Sequence, residues 1–141
     1  MSGVTCVMLG MKPNAAVVNI SDVTVYDTQV SPTDASASYT LENDGDIIES
    51  TGAGNADTGD WVTPKAAAGA AYECRATITS GALTSGTTGS WLSMATTRTW
   101  TVTRTNNAAG VDTCVFTLEI RLTATGTVLD TATITLTAEV F

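Results

Sequence analysis

The sequence predicts an all-β protein built as an antiparallel β-sandwich, on three observations. From Ala71 to Val140 apolar and polar residues alternate with period two, the mark of strands that bury one face. Threonine supplies about a fifth of the residues, and its β-branched side chain suits a pleated, half-exposed surface better than a helix. Turn-forming Gly, Asn, Asp and Ser recur roughly every eight to twelve residues, and no segment carries a helical period.

In chain order, Ala16 to Tyr26, Ser38 to Glu42 and Asp46 to Ser50 are strand-like, with Asn43-Asp44-Gly45 as a tight-turn signal between the last two. Gly, Asn, Asp and Thr crowd 51–60, so a loop or hinge is expected near 51–63. Tyr72, Cys74, Ala76 and Ile78 then alternate with Glu73, Arg75, Thr77 and Thr79, and a Gly/Ser/Thr loop follows to Gly89. Trp100 and Val102 point inward from the strand Arg98 to Arg104, after which Asn106 to Gly110 has turn chemistry. The longest candidate, Asp112 to Thr123, buries Cys114, Phe116, Leu118, Ile120 and Leu122. Thr125-Gly126-Thr127 reads as a hairpin turn into a last strand that buries Ala132, Ile134, Leu136, Ala138 and Val140. This hairpin is the expected heart of the core, joined by Tyr72, Cys74, Ile78, Trp100 and Val102. Six or seven strands of this kind fit an immunoglobulin-like or fibronectin-type sandwich better than a barrel. One domain is expected over 16–141, preceded by an N-terminal arm over 1–15.

Charge narrows the partners. The chain carries Lys+Arg 6 against Asp+Glu 14, net −8, which gives a nucleic-acid backbone or an anionic membrane surface nothing to hold. Nine acids and one base, Lys12, fall between Met1 and Asp60, whereas five of each fall after it. The start of the chain lacks the basic and apolar segments of a secretory signal, so synthesis in the cytoplasm is expected. Cys6, Cys74 and Cys114 have neither metal nor redox spacing and are expected as thiols, the last two as small buried hydrophobes. Asn19-Ile20-Ser21 matches a glycosylation sequon, read as a chance match in a chain that is not secreted.

No enzyme is expected. The chain has no histidine to serve as a general base, no nucleophile elbow and no phosphate loop. Paired carboxylates could cut a glycosidic bond, with Asp44, Asp46, Glu49, Asp57 and Asp60 as candidates, but solvated turn acids explain them more simply. Asn55, Asp57 and Asp60 are weak candidates for a calcium ion; Gly59 stands where a ligand belongs and no glutamate closes the ring. Asn43, Asp44 and Asp46 form a second such cluster, and no cofactor is expected. Trp61 and Trp91 flank loops and could stack on a sugar ring, although loop-anchoring tryptophans are commoner. Sheets with so few charges, and with Lys12 and Lys65 as the two lysines, lack the usual protection against edge-to-edge pairing. The Thr-rich outer faces and the acidic N-terminal arm are therefore expected to meet other subunits, the arm either adding a strand to a neighbour or packing on a basic partner.

The stretch Val62 to Val140 resembles the small immunoglobulin-like virion proteins of tailed bacteriophages. The likeness rests on Tyr72-Glu73-Cys74-Arg75-Ala76-Thr77, Gly89-Ser90-Trp91-Leu92, Arg98-Thr99-Trp100-Thr101-Val102, Leu118-Glu119-Ile120-Arg121 and Ile134-Thr135-Leu136-Thr137-Ala138. It covers a little over half the chain, and its motifs are architectural. The resemblance implies a virion structural protein made in the host cytoplasm: a tail, tail-fibre or baseplate component, alternatively a capsid decoration or head-fibre protein, or a carbohydrate-binding module for host attachment. Its partners would be other virion proteins, copies of itself, and a host-surface glycan.

Overall fold

The computed structural model describes residues 20–44, 47–53, 55–56, 71–105 and 108–141. They form nine strands and no helix: β1 (Val23–Gln29), β2 (Ala35–Asp44), β3 (Ile47–Ala53), β4 (Asn55–Ala56), β5 (Tyr72–Gly81), β6 (Leu92–Ser93), β7 (Arg98–Arg104), β8 (Gly110–Leu122) and β9 (Val128–Val140). A six-stranded sheet of order β4-β1-β9-β8-β5-β6 faces a three-stranded sheet of order β3-β2-β7.

The β8–β9 hairpin is the spine of the large sheet, registered from Gly110 opposite Val140 to Arg121 opposite Val128. Its turn closes with the Gly126 N–H donating to the Leu122 carbonyl at 2.9 Å, and Gly126 takes a φ of 71° that a side chain would disfavour. Inward residues of this hairpin are fully buried, including Cys114, Phe116, Leu118, Ile120, Ile134, Leu136 and Ala138. Tyr72, Cys74 and Ala76 of β5 and Trp100 and Val102 of β7 join them, as the alternation requires.

The small sheet packs on β1, β8 and β9. Tyr39, Trp100 and Phe116 bridge the two layers, with ring centroids 6.3 Å and then 5.6 Å apart and both pairs tilted. The Trp100 indole is fully buried, and its Nε1–H donates to the Thr87 carbonyl at 2.9 Å, so no polar atom is stranded.

Four expectations are corrected. The sandwich is mixed, because β1 runs parallel to β9 from Val23 opposite Ile134 to Gln29 opposite Val140; alternation fixes which face is buried and is silent on strand direction. Ile78 is 37% exposed rather than core, since β5 is exposed from Thr77 onward and its register with β8 slips between Ile78 and Ser80. Leu122 is half-buried and packs against the core from its rim. Strand structure enters the expected loop near 51–63: β3 runs to Ala53, and Asn55–Ala56 pairs with Tyr26 and Val25. The rest of that loop and the arm over 1–15 lie outside the described residues.

Candidate functional site

The outer face of β5 and β8 carries a cross-strand checkerboard. Glu73 stands opposite Arg121 and Arg75 opposite Glu119. Each pair closes an ion pair, 2.8 Å from Arg121 Nε to Glu73 Oε1 and 2.9 Å from Arg75 Nη2 to Glu119 Oε1. Trp91 lies across it. Leu92 pairs with Cys74, which sets Trp91 beside Arg75 at the sheet edge, and its ring spans to the next strand. The guanidinium carbons of Arg75 and Arg121 sit 4.5 Å and 3.9 Å from the ring centroid. Each cation thus meets a carboxylate and an indole, an arrangement that pins the 82–91 loop to the sheet. Trp91 is half-buried, with two arginines seated on its ring. Sequence reasoning missed this cluster. The spacing Glu73-x-Arg75 and Glu119-x-Arg121, one acid and one base on the outward face of each strand, was the available signal.

The same loop covers an edge. The chain leaves β5 at Gly81, crosses to the small sheet and pairs with β7, where Ser85 and Thr101 exchange backbone hydrogen bonds of 3.2 Å and 3.0 Å. The Thr84 N–H donates to the Thr101 carbonyl at 2.8 Å, and its hydroxyl accepts the Thr103 N–H at 2.8 Å. The β7 edge, expected to be unprotected, is therefore blunted by the chain itself over Thr101 to Thr103.

Three aspartates accept backbone hydrogen bonds. Asp22 Oδ1 accepts the Thr133 N–H, Asp27 Oδ2 the Ser36 N–H, and Asp130 Oδ2 the Ile20 N–H, at 2.8, 2.9 and 2.8 Å. Of the carboxylate and calcium candidates, Asp57 and Asp60 lie outside the described residues, as do Asp46 and the tryptophan candidate Trp61; Asp44, Glu49 and Asn55 are placed on strands by their backbones alone. Among the described residues, no three of His, Cys, Asp and Glu converge in a way that could hold a metal ion. No helix among them is long and apolar enough to cross a membrane.

Cys74 and Cys114 are fully buried free thiols. Both belong to the large sheet, Cys74 opposite Ile120 and Cys114 opposite Gly81, so they cannot form the inter-sheet bridge of antibody domains. Burial pushes the Cys74 thiol up to about 11, with Arg98 acting in the opposite sense, and burial raises Cys114 as well.

The remaining outward surface is hydroxyl-rich. On the small sheet Ser36 faces Thr103, Ser38 faces Thr101 and Thr40 faces Thr99, with hydroxyl pairs at 2.9 Å and 3.0 Å in the first and last rows. On the large sheet Thr117 faces Thr133, Thr113 faces Thr137, and Thr24 of β1 stands beside Thr135. No protein-family model, curated protein or solved structure matches the chain.

Proposed function

We propose that this chain is a structural subunit of a bacteriophage virion, an immunoglobulin-like module of the tail, tail fibre or baseplate, made in the host cytoplasm and without catalytic activity. One observation carries the reading: both sheets turn uncharged rows of Ser and Thr outward. Such rows keep a free subunit wetted, yet hydroxyls cost far less to desolvate against a neighbour than the Lys and Glu of an ordinary surface.

Strand connectivity supports the immunoglobulin-like part. β2 and β7 are neighbours in one sheet, β5, β8 and β9 follow one another in the other, and this is the partition of strands B and E from C, F and G. The β3–β4 segment between β2 and β5, and tryptophan on β7 rather than β5, depart from the antibody pattern. A capsid-decoration role would use the same surfaces. A glycan-binding role would use the part of the Trp91 ring that Arg75 and Arg121 leave exposed.

The test is peptide mass spectrometry on particles purified from producing cells, with heads and tails separated. The chain should appear in stoichiometric amount in the tail fraction. Its presence in heads would move it to the capsid, and its absence from both would end the virion reading.

A further inference from the structure

β8 runs four residues, Gly110 to Thr113, past its last pair with β5. Gly81 opposite Cys114 is the last pair between β5 and β8, while on its other side β8 stays paired with β9 down to Gly110 opposite Val140. Among the described residues, no strand therefore pairs with the β5-side edge of Gly110 to Thr113. The cause is local. Gly81 takes a φ of 76°, where a Cβ would overlap the Thr113 carbonyl, and from there the chain swings away to β7.

The wedge left between the departing chain and β8 is an open groove of about 470 Å³, lined by Leu83, Thr84, Val102, Val111 and Thr113 among others. Val111 is 52% exposed at its rim. The edge is held in strand form. Arg104 Nε donates to the Ala108 carbonyl at 2.8 Å, Nη2 to the Ala109 carbonyl at 3.1 Å, and Nη1 pairs with Asp112 at 3.1 Å. An unpaired edge beside an open groove, here lined by both apolar and polar residues, is an arrangement that takes up an added strand.

We propose that this groove receives the segment Val4–Leu9 of a second copy of the chain as an added strand beside Gly110 to Thr113. This rests on the assembly reading above and names the contact that would make it. Val4, Cys6 and Met8 alternate with Thr5, Val7 and Leu9, apolar and β-branched residues suited to a strand. The acidity of the N-terminal part begins only at Asp22, so residues 1–21, with Lys12 and no acid, can approach a neighbour of net charge −8 without repulsion.

Geometry favours another copy over the chain's own arm. The Ile20 N–H is tied to Asp130, whereas the edge of Gly110 to Thr113 lies opposite Val140 to Thr137, about 24–34 Å away along β9. The eleven steps from Leu9 to Ile20 span at most about 36–40 Å, so a chain's own arm added antiparallel to β8, with Leu9 beside Gly110, would have to run nearly straight and extended to arrive.

The test uses the full chain carrying Val111→Cys, oxidised mildly so that Cys6 can cross-link to the introduced thiol. Disulfide-linked dimers or a ladder of oligomers on a non-reducing gel are expected, lost on adding Cys6→Ser and absent for Val128→Cys at the far end of the sheet. Cross-links found only within monomers, no cross-link, or equal cross-linking at position 128 would each overturn the proposal. Independently, Val111→Lys should raise the dissociation constant of self-association roughly tenfold or more while leaving the circular dichroism spectrum intact; unchanged association contradicts the groove. Particle incorporation is read separately. Incorporation without the cross-link removes the groove and keeps the assembly reading, and the cross-link without incorporation does the reverse.

Discussion

Trp100 joins the two layers, touching Tyr39 and Phe116 while its indole N–H is satisfied by Thr87. Trp100→Ala would open a cavity between sheets that cannot collapse onto it. A loss of about 3–5 kcal/mol in urea unfolding is expected. Cys74 gives a pH signature. Its thiol is raised to about 11 in the folded chain from an ordinary 9.0, so on raising the pH the unfolded chain loses this proton first. Stability is then full below about pH 9 and falls between about 9 and 11, by up to about 1.4 kcal/mol per pH unit. Denaturation midpoints measured across that window should fall more steeply for the wild type than for Cys74→Ala. Trp91→Ala removes two cation–ring contacts, each worth about 0.5–1 kcal/mol at a half-exposed site, and should loosen the 82–91 loop. Proteolysis within that loop, faster in the variant, would show it.

At the scale of elements, the 82–91 crossing carries the most consequence, because one segment anchors Trp91, caps β7 and opens the groove beside β8. Thr84→Val keeps the shape and removes the hydroxyl that accepts the Thr103 N–H. It should cost about 1 kcal/mol and speed amide exchange at Thr103 selectively. Gly81→Ala, at a positive φ and against the Thr113 carbonyl, should cost more than about 2 kcal/mol. Alternation made β5, β7, β8 and β9 legible in the sequence, down to the inward faces of Phe116 and Leu136. It could not give the direction of β1, nor the point past Ala76 where β5 becomes exposed and leaves Ile78 partly in solvent. Strand β3 was legible in part: Gly52 obscured its end, because turn residues within a strand are indistinguishable by composition from those in a loop. The charged cluster under Trp91 was hidden for another reason. Its members come from three stretches of chain, and pairing Glu73 with Arg121 requires the register of β5 on β8, which no single strand encodes.

For the whole molecule, the distribution of charge sets behaviour in solution. Net −8 at neutral pH opposes nonspecific association, and the isoelectric point near 4.1 marks where that repulsion vanishes. Light scattering should rise reversibly near pH 4 and fall again on return to pH 7. In the assembly reading, removing Met1 to Val18 leaves the sandwich folded and abolishes incorporation into particles. All of this requires that alternate side chains of residues 71–140 are held between two sheets, leaving the hydroxyl rows outside for contact. Amide hydrogen exchange on the full chain tests that requirement most directly. The slowest exchange is expected in the paired cores of β8, β9 and β5, around Cys114 to Ile120, Ala132 to Ala138 and Tyr72 to Ala76, with fast exchange in the 123–127 turn. Uniformly fast exchange across residues 71–140, or protection with the period of a helix, would contradict it.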